Sequence, residues 1–115
     1  MRSAGIQVVS AGAMTGTITS LPVLADQDCL VSFQAVYTGS PVGSLSIQCS
    51  NDQGLDNAGT GVVNWSSYPS STHAVAAAGD FPWEIPNTAF RWFRLVYTFT
   101  SGTGTLNARA YVKGA

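Results

Sequence analysis

The stretch from residue 89 to residue 113 reads AFRWFRLVYTFTSGTGTLNARAYVK. Large apolar and polar side chains alternate along residues 89–100, which is typical of a β-strand with one buried face. The next four residues, Ser101-Gly102-Thr103-Gly104, are typical of a turn. Residues 105–113 then return with small apolar side chains at every second position. We therefore predict a C-terminal β-hairpin in which large side chains of the first strand pack against the alanines of the second.

The rest of the chain has the same two-residue period. Residues 29–38 and 44–50 are strand patterns joined by Gly39-Ser40-Pro41-Val42-Gly43, so we predict a second antiparallel hairpin there. Residues 81–86 contain two prolines, which confines them to a sheet edge or an extended loop. Shorter strand patterns occur at residues 7–10, 15–20, 62–65 and 72–77.

About eight short strands separated by turns predict an all-β protein, an antiparallel β-sandwich of jelly-roll type. The length of 115 residues is that of one domain. We interpret residues 1–28 as an N-terminal arm with edge strands that belongs to the same unit. Residues 29–115 are predicted to form the β-sandwich domain.

The composition indicates a protein that works by contact. Charged residues make up 10% of the chain and the net charge is −1, against roughly 25% charged residues in an average domain. A surface so poor in charge repels other copies weakly, which is common in assemblies, although a monomeric but sticky domain would have the same composition. The Lys and Arg residues do not cluster, and no apolar run is long enough to span a membrane, so we expect neither nucleic acid nor membrane as a partner. We find no secretory signal and expect folding in a cytoplasm.

Few residues suit metal binding or catalysis. His73 is the one histidine and no CxxC pair occurs, so zinc is not expected. Residues 51–56 lack the spacing of an EF-hand loop, so calcium is not expected either. A Ser–His–Asp triad would have to use His73, which lies in a Ser/Thr-rich stretch without a nucleophile elbow. We predict no enzymatic activity, no metal and no cofactor.

The two cysteines, Cys29 and Cys49, lie on separate strand patterns. In a protein without a secretory signal, two reduced and buried thiols are the ordinary expectation. A disulfide between neighbouring strands is the alternative.

Aromatic and charged side chains suggest an interaction surface. Trp83 lies between two prolines beside Glu84, and we predict that both take part in an interface. On the C-terminal hairpin, the face turned away from the core is predicted to present Trp92, Arg94, Arg109 and Tyr111 to a neighbouring subunit. The alternative is a glycan-binding platform made of Trp65, Tyr68 and Trp83.

Four segments together resemble a known class of protein. They are residues 43–52 (GSLSIQCSND), residues 63–65 (VNW), residues 90–98 (FRWFRLVYT) and residues 101–108 (SGTGTLNA). In this order they resemble small β-sandwich virion proteins of tailed bacteriophages, namely capsid decoration (cement) proteins and modules of tail or fibre proteins. The resemblance covers about residues 29–113 and assigns no catalytic residue.

The resemblance implies a structural virion protein that decorates or cements a phage capsid through protein–protein contacts. The implied partner is the major capsid protein or a tail protein of the same phage, and a homo-oligomer, either a trimer or a dimer, is expected. The implied location is the virion, after assembly in the bacterial cytoplasm. The alternative is a module associated with a tail or fibre, or a glycan-binding module for host attachment.

Overall fold

The computed structural model describes residues 3–25, 29–56, 58–85 and 90–114. The described chain forms eight antiparallel β-strands and contains no helix. The all-β fold class is therefore confirmed. The strands are β1 (Ser3–Ala13), β2 (Ile18–Thr19), β3 (Val23–Leu24), β4 (Cys29–Ser50), β5 (Ser66–Ser67), β6 (His73–Val75), β7 (Gly79–Ile85) and β8 (Trp92–Gly114).

Two unusually long strands, β4 and β8, form the centre of the fold. They pair along their whole length, from Cys29 opposite Gly114 to Ser50 opposite Trp92. The two predicted hairpins are therefore wrong in their connection, because residues 101–104 do not reverse the chain. They continue β8 and lie opposite residues 39–42 of β4, which were also predicted to turn. Glycine, serine and proline mark a bend in a continuous ribbon as well as they mark a reversal.

The bend divides the ribbon into two sheets. Sheet A consists of β1, residues 105–113 of β8, residues 29–38 of β4, and β7, in this order. Sheet B consists of β2 and β3, residues 92–99 of β8, residues 43–50 of β4, and finally β5 and β6. Two antiparallel sheets that exchange their strands in this way agree with the predicted β-sandwich of jelly-roll type.

The corner between the sheets depends on glycine and on a bulge. Gly102 has a φ of +85°, and a Cβ atom there would collide with the carbonyl oxygen of Ser40. Gly43 pairs with Phe99 while Val42 pairs with Ser101, so Thr100 is an extra residue in β8. Such a bulge bends the strand and moves its later side chains to the other face.

The two sheets enclose a single core. In β8 the inward positions are odd-numbered in sheet B and even-numbered in sheet A, as the bulge requires, whereas β4 keeps odd-numbered positions inward throughout. The largest fully buried apolar side chains of this core are Phe33, Leu45, Ile47, Phe93, Leu95, Tyr97, Leu106 and Met14.

Shorter elements differ from prediction in extent. The predicted strand at residues 62–65 belongs instead to a loop, and pairing with β4 begins only at Ser66. Residues 15–20 form a strand only at Ile18–Thr19. Within the N-terminal arm, residues 1–2 and 26–28 lie outside the described residues, as do the predicted strand start at residue 89 and the proline at residue 86.

Candidate functional site: the outer face of sheet A

The outer face of sheet A consists of the side chains of β8, β4 and β7 that point away from the core. Alternation along β7 buries Trp83 and Ile85 and leaves Asp80, Pro82 and Glu84 exposed. The register sets the outward residues in rows across the three strands. The rows are Lys113–Leu30, Tyr111–Ser32–Glu84, Arg109–Gln34–Pro82 and Asn107–Val36–Asp80.

This outer face carries apolar groups that no described segment of the chain covers. Leu30 is 58% exposed, Tyr111 46% and Val36 45%. Leu30, Ser32, Glu84, Tyr111 and Lys113 border a shallow depression at one end of the face. Exposed apolar side chains grouped on a flat surface are typical of a protein–protein contact.

The charges on the outer face are segregated by strand. The acids Asp80 and Glu84 lie on β7, and the bases Arg109 and Lys113 lie on β8, with the neutral outward side chains of β4 between them. Among the described residues, Glu84, Arg109 and Lys113 make no ion pair or side-chain hydrogen bond. Their charges are therefore available to a partner, and the predicted interface residues Glu84, Arg109 and Tyr111 share one surface.

Trp92 is not at the surface, so its prediction as an interface residue is wrong. It points away from the core, yet its side chain is fully buried, because residues 51–56 and 58–65 fold over it. The indole Nε1 donates a hydrogen bond to the carbonyl oxygen of Asp52, 3.0 Å away, and the ring lies against Gly54 and Gly59. The sequence pattern correctly gave its direction but could not show that a loop covers it.

The loop over Trp92 is held by the carboxylate of Asp52. This carboxylate accepts hydrogen bonds from the backbone amides of Val63 and Asn64, each 2.8 Å long, and from the side-chain amide of Asn64 at 3.0 Å. These bonds stabilise the ionised form, so they lower the pKa of Asp52. The same loop leaves Leu55 and Val63 largely exposed at the surface.

Arg94 lies on sheet B, away from Arg109. Its guanidinium carbon is 4.2 Å from the ring centroid of Trp65, and its Nε donates to the side-chain oxygen of Gln48 at 2.7 Å. Burial lowers the pKa of this guanidinium. The prediction that Arg94 and Arg109 share one face is therefore wrong, because the bend and the bulge at Thr100 put them on different sheets.

Trp83 is the second buried tryptophan. It is 6% exposed, its Nε1 donates to the carbonyl oxygen of Ser71 at 2.7 Å, and it packs edge-on against Phe81. It cannot act as a surface anchor, because its side chain points into the core, and the outward positions on either side of it belong to Pro82 and Glu84. The predicted glycan platform is not assembled either, since Trp65 lies under Arg94 and Tyr68 packs against Phe93.

His73 is half-buried. Its ring stacks on Phe81 with centroids 3.9 Å apart, and its Nε2 lies 3.3 Å from the hydroxyl of Tyr37. Burial and the charge of Asp80 raise the pKa of Tyr37. Within the described part of the chain, no three His, Cys, Asp or Glu side chains are grouped so that they could hold a metal ion.

Cys49 is a free, buried thiol, and burial raises its pKa. The alternative of a Cys29–Cys49 disulfide is therefore wrong. Both cysteines belong to the one long strand β4, near its opposite ends. The side chain of Cys29 itself lies outside the described residues. Among the described residues there is no helix long and apolar enough to cross a membrane.

Comparison with solved structures shows where this fold recurs. The VP2 subviral particle protein of infectious bursal disease virus superposes with a TM-score of 0.59 at 12% identity, covering 98% of this chain and 32% of the viral chain. PirA gives 0.53 at 16% identity, covering 95% of this chain and 92% of its own. The SPBc2 prophage-derived protein YomS gives 0.53 at 7% identity, with coverages of 96% and 93%.

Sequence comparison adds nothing to this, because no family model and no curated protein sequence matches the chain. The chain spans about a third of the VP2 chain, so it corresponds to one part of that protein. At these identities the likeness concerns the fold. The chain thus shares its antiparallel β-sandwich with a viral particle protein and with a prophage-derived protein of similar size.

Proposed function

We propose that the chain is a structural protein of a bacteriophage virion, which decorates or cements the capsid through protein–protein contacts. The observation that carries the proposal is the outer face of sheet A, where Leu30, Val36 and Tyr111 are exposed beside charges that have no partner among the described residues. The fold shared with a viral particle protein and a prophage-derived protein supports it. The major capsid protein or a tail protein of the same phage is the proposed partner.

The chemistry of the outer face suits lasting attachment. Burying apolar surface contributes about 25 cal/mol per Å², and three large exposed side chains supply such surface without any rearrangement of the fold. The charges around them fix the orientation of a partner more than they add affinity. The exposed Leu55 and Val63 of the loop over Trp92 offer a second contact on the opposite side of the sandwich.

The proposal is tested on particles of the phage or prophage that encodes the chain. Mass spectrometry of purified particles should find the protein in stoichiometric amounts on the capsid. Particles from a deletion strain should bind the purified protein saturably. Absence from intact particles, together with no binding to deletion particles, would overturn the proposal. Recovery in the tail or fibre fraction alone would replace capsid decoration by the tail-associated alternative.

A matched pair of variants tests the surface. Val36→Asp introduces a charge on the middle strand of the outer face of sheet A, whereas Thr98→Asp introduces the same charge at an exposed strand position of sheet B. Both should fold, because both positions are exposed. We expect Val36→Asp to lose particle binding and Thr98→Asp to retain it. Equal binding by the two variants would show that particle binding does not require the outer face of sheet A.

A further inference from the structure

We propose that the outer face of sheet A binds a second copy of this chain, across a two-fold axis that runs along β4 and parallel to the strands. The inference rests on the proposed function only in taking this face as a contact surface that particle binding requires. A second copy covers the face, so the pair attaches to the particle through the exposed Leu55 and Val63 of the loop over Trp92. What the inference adds is the identity of the occupant and the geometry of the pair. Charge and apolar groups are distributed over the face in a way that fits a second copy.

The charges make the face complementary to itself. β7 and β8 lie on opposite sides of β4, and β7 carries the acids while β8 carries the bases. A two-fold rotation about an axis along β4 exchanges the two sides. It therefore places β7 of the second copy over β8 of the first, and acids meet bases on both sides of the axis.

The register makes this match specific to Arg109. Arg109 lies in the row of Pro82, so it faces Pro82 of the second copy. Asp80 and Glu84 of the second copy are the next outward positions on either side, about 7 Å away along the strand. An arginine side chain spans that distance, so each Arg109 has two carboxylates within reach.

The alternative two-fold arrangement is unfavourable. An axis in the plane of the face but perpendicular to the strands would place β7 over β7 and β8 over β8. Acids would then meet acids and bases would meet bases, and like charges brought together in an interface suppress that arrangement. The charge pattern therefore selects one orientation out of two that would bury the same residues.

The centre of the face fits the same axis. On the axis each outward residue of β4 faces its own copy, so Val36 meets Val36 and Leu30 meets Leu30. Gln34 meets Gln34, and a side-chain amide has both donors and an acceptor, so two of them can pair. Packed sheets cross at about 30°, which disturbs this match least near the point where the two copies of β4 cross.

Pairing through the sheet edges is less suited to a second copy. The edge strand β7 contains Pro82, which has no amide to donate to a further strand. The other edge strand, β1, has register shifts between Gln7 and Val9 and between Val9 and Gly12, which interrupt a regular ladder. The outer face of sheet A is continuous, whereas both edges of the sheet are interrupted.

Charge reversal in the purified full-length chain tests the proposal, with the association constant measured by sedimentation velocity over a range of concentration and salt. We expect a monomer–dimer equilibrium that weakens as salt rises. Glu84→Arg and Arg109→Glu should each weaken it by about tenfold or more, because each reversal acts at two symmetry-related places. The double variant should recover most of the loss. Thr98→Arg, which adds charge on sheet B, should leave the association constant unchanged.

The remaining outcomes would contradict the dimer, the face, the axis or the proposed function. A wild-type chain that stays monomeric at all concentrations, or forms a trimer, overturns the proposal. A dimer indifferent to both reversals excludes this face, and single losses without recovery in the double variant exclude the stated axis. A dimer that is absent from particles would support this inference and overturn the proposed function. A chain that is monomeric in solution but present on particles would overturn this inference and support the proposed function.

Discussion

Substitution of Gly102 by alanine tests the bent ribbon directly. Gly102 lies in β8 at the corner between the sheets, with a φ of +85°. A left-handed backbone costs a residue with a Cβ atom about 1–2 kcal/mol. The new methyl group would also meet the carbonyl oxygen of Ser40 on the paired strand, and a backbone atom cannot move aside as a side chain does.

Relief of that collision requires the two strands to separate locally. Loss of one or two ladder hydrogen bonds, at about 1 kcal/mol each, brings the total to about 2–4 kcal/mol. That is a large part of the 5–15 kcal/mol by which an average domain is stable. With a urea m-value of about 1–3 kcal/mol/M for a small protein, the unfolding midpoint should fall by about 0.7–4 M.

Urea unfolding followed by tryptophan fluorescence measures this effect, because Trp83 and Trp92 are buried and change environment on unfolding. Gly16→Ala is the matched control. No atom lies within 4 Å of a Cβ at that position, so its free energy of unfolding should stay within about 1 kcal/mol of the wild type. Equal midpoints for Gly102→Ala and Gly16→Ala would refute the corner geometry.

Three further predictions concern the loop over Trp92 and the buried thiol. Trp92→Phe removes the donor to the carbonyl oxygen of Asp52 and should lower the free energy of unfolding by about 1–3 kcal/mol in chemical denaturation. Asp52→Asn should destabilise the protein at neutral pH. The folded pKa of Asp52 lies below its ordinary 3.8, so the stability advantage of the wild type over Asp52→Asn is fully present above that value. The advantage disappears as pH falls through the folded pKa. Thermal melts of both proteins at pH 7 and at pH 2–3 measure this. In a Cys29→Ser background, Cys49 should react with a disulfide reagent at pH 8 only as fast as the protein opens, and fast modification of the native state would contradict its burial.

The sequence predicted the strands well and their connections poorly. The two-residue period identified the inward side chains of β4 and β8, because burial on one face leaves a local trace in the pattern. Whether residues 101–104 reverse the chain or bend it depends on which residues lie opposite. Here the opposite residues are 39–42, about sixty positions away, and no local pattern records such a pairing.

Part of the candidate site could be predicted because local alternation shows which side chains point outward, but it does not show which of them a distant segment covers. Glu84, Arg109 and Tyr111 are outward and exposed as expected. Trp83 and Trp92 are buried, one by its alternation with Pro82 and Glu84, the other by a loop whose anchor is the carboxylate of Asp52. Leu30 and Val36 were not singled out, although the mixed polarity of the outward positions of β4 was a signal in the sequence that this face is not simply solvated.

The segregation of charge on the outer face of sheet A depends on the register of β7 against β4. A shift of β7 by one residue would turn Glu84 inward and Trp83 outward, so burial of Trp83 fixes the register strongly. The hydrogen bond from Trp83 to the carbonyl oxygen of Ser71 fixes it further, because only this register brings the indole to that acceptor. The core therefore determines which charges face a partner. Mutations of Trp83 should consequently disturb association through Glu84 even though Trp83 touches no partner, whereas Glu84 variants should alter association and leave stability nearly unchanged.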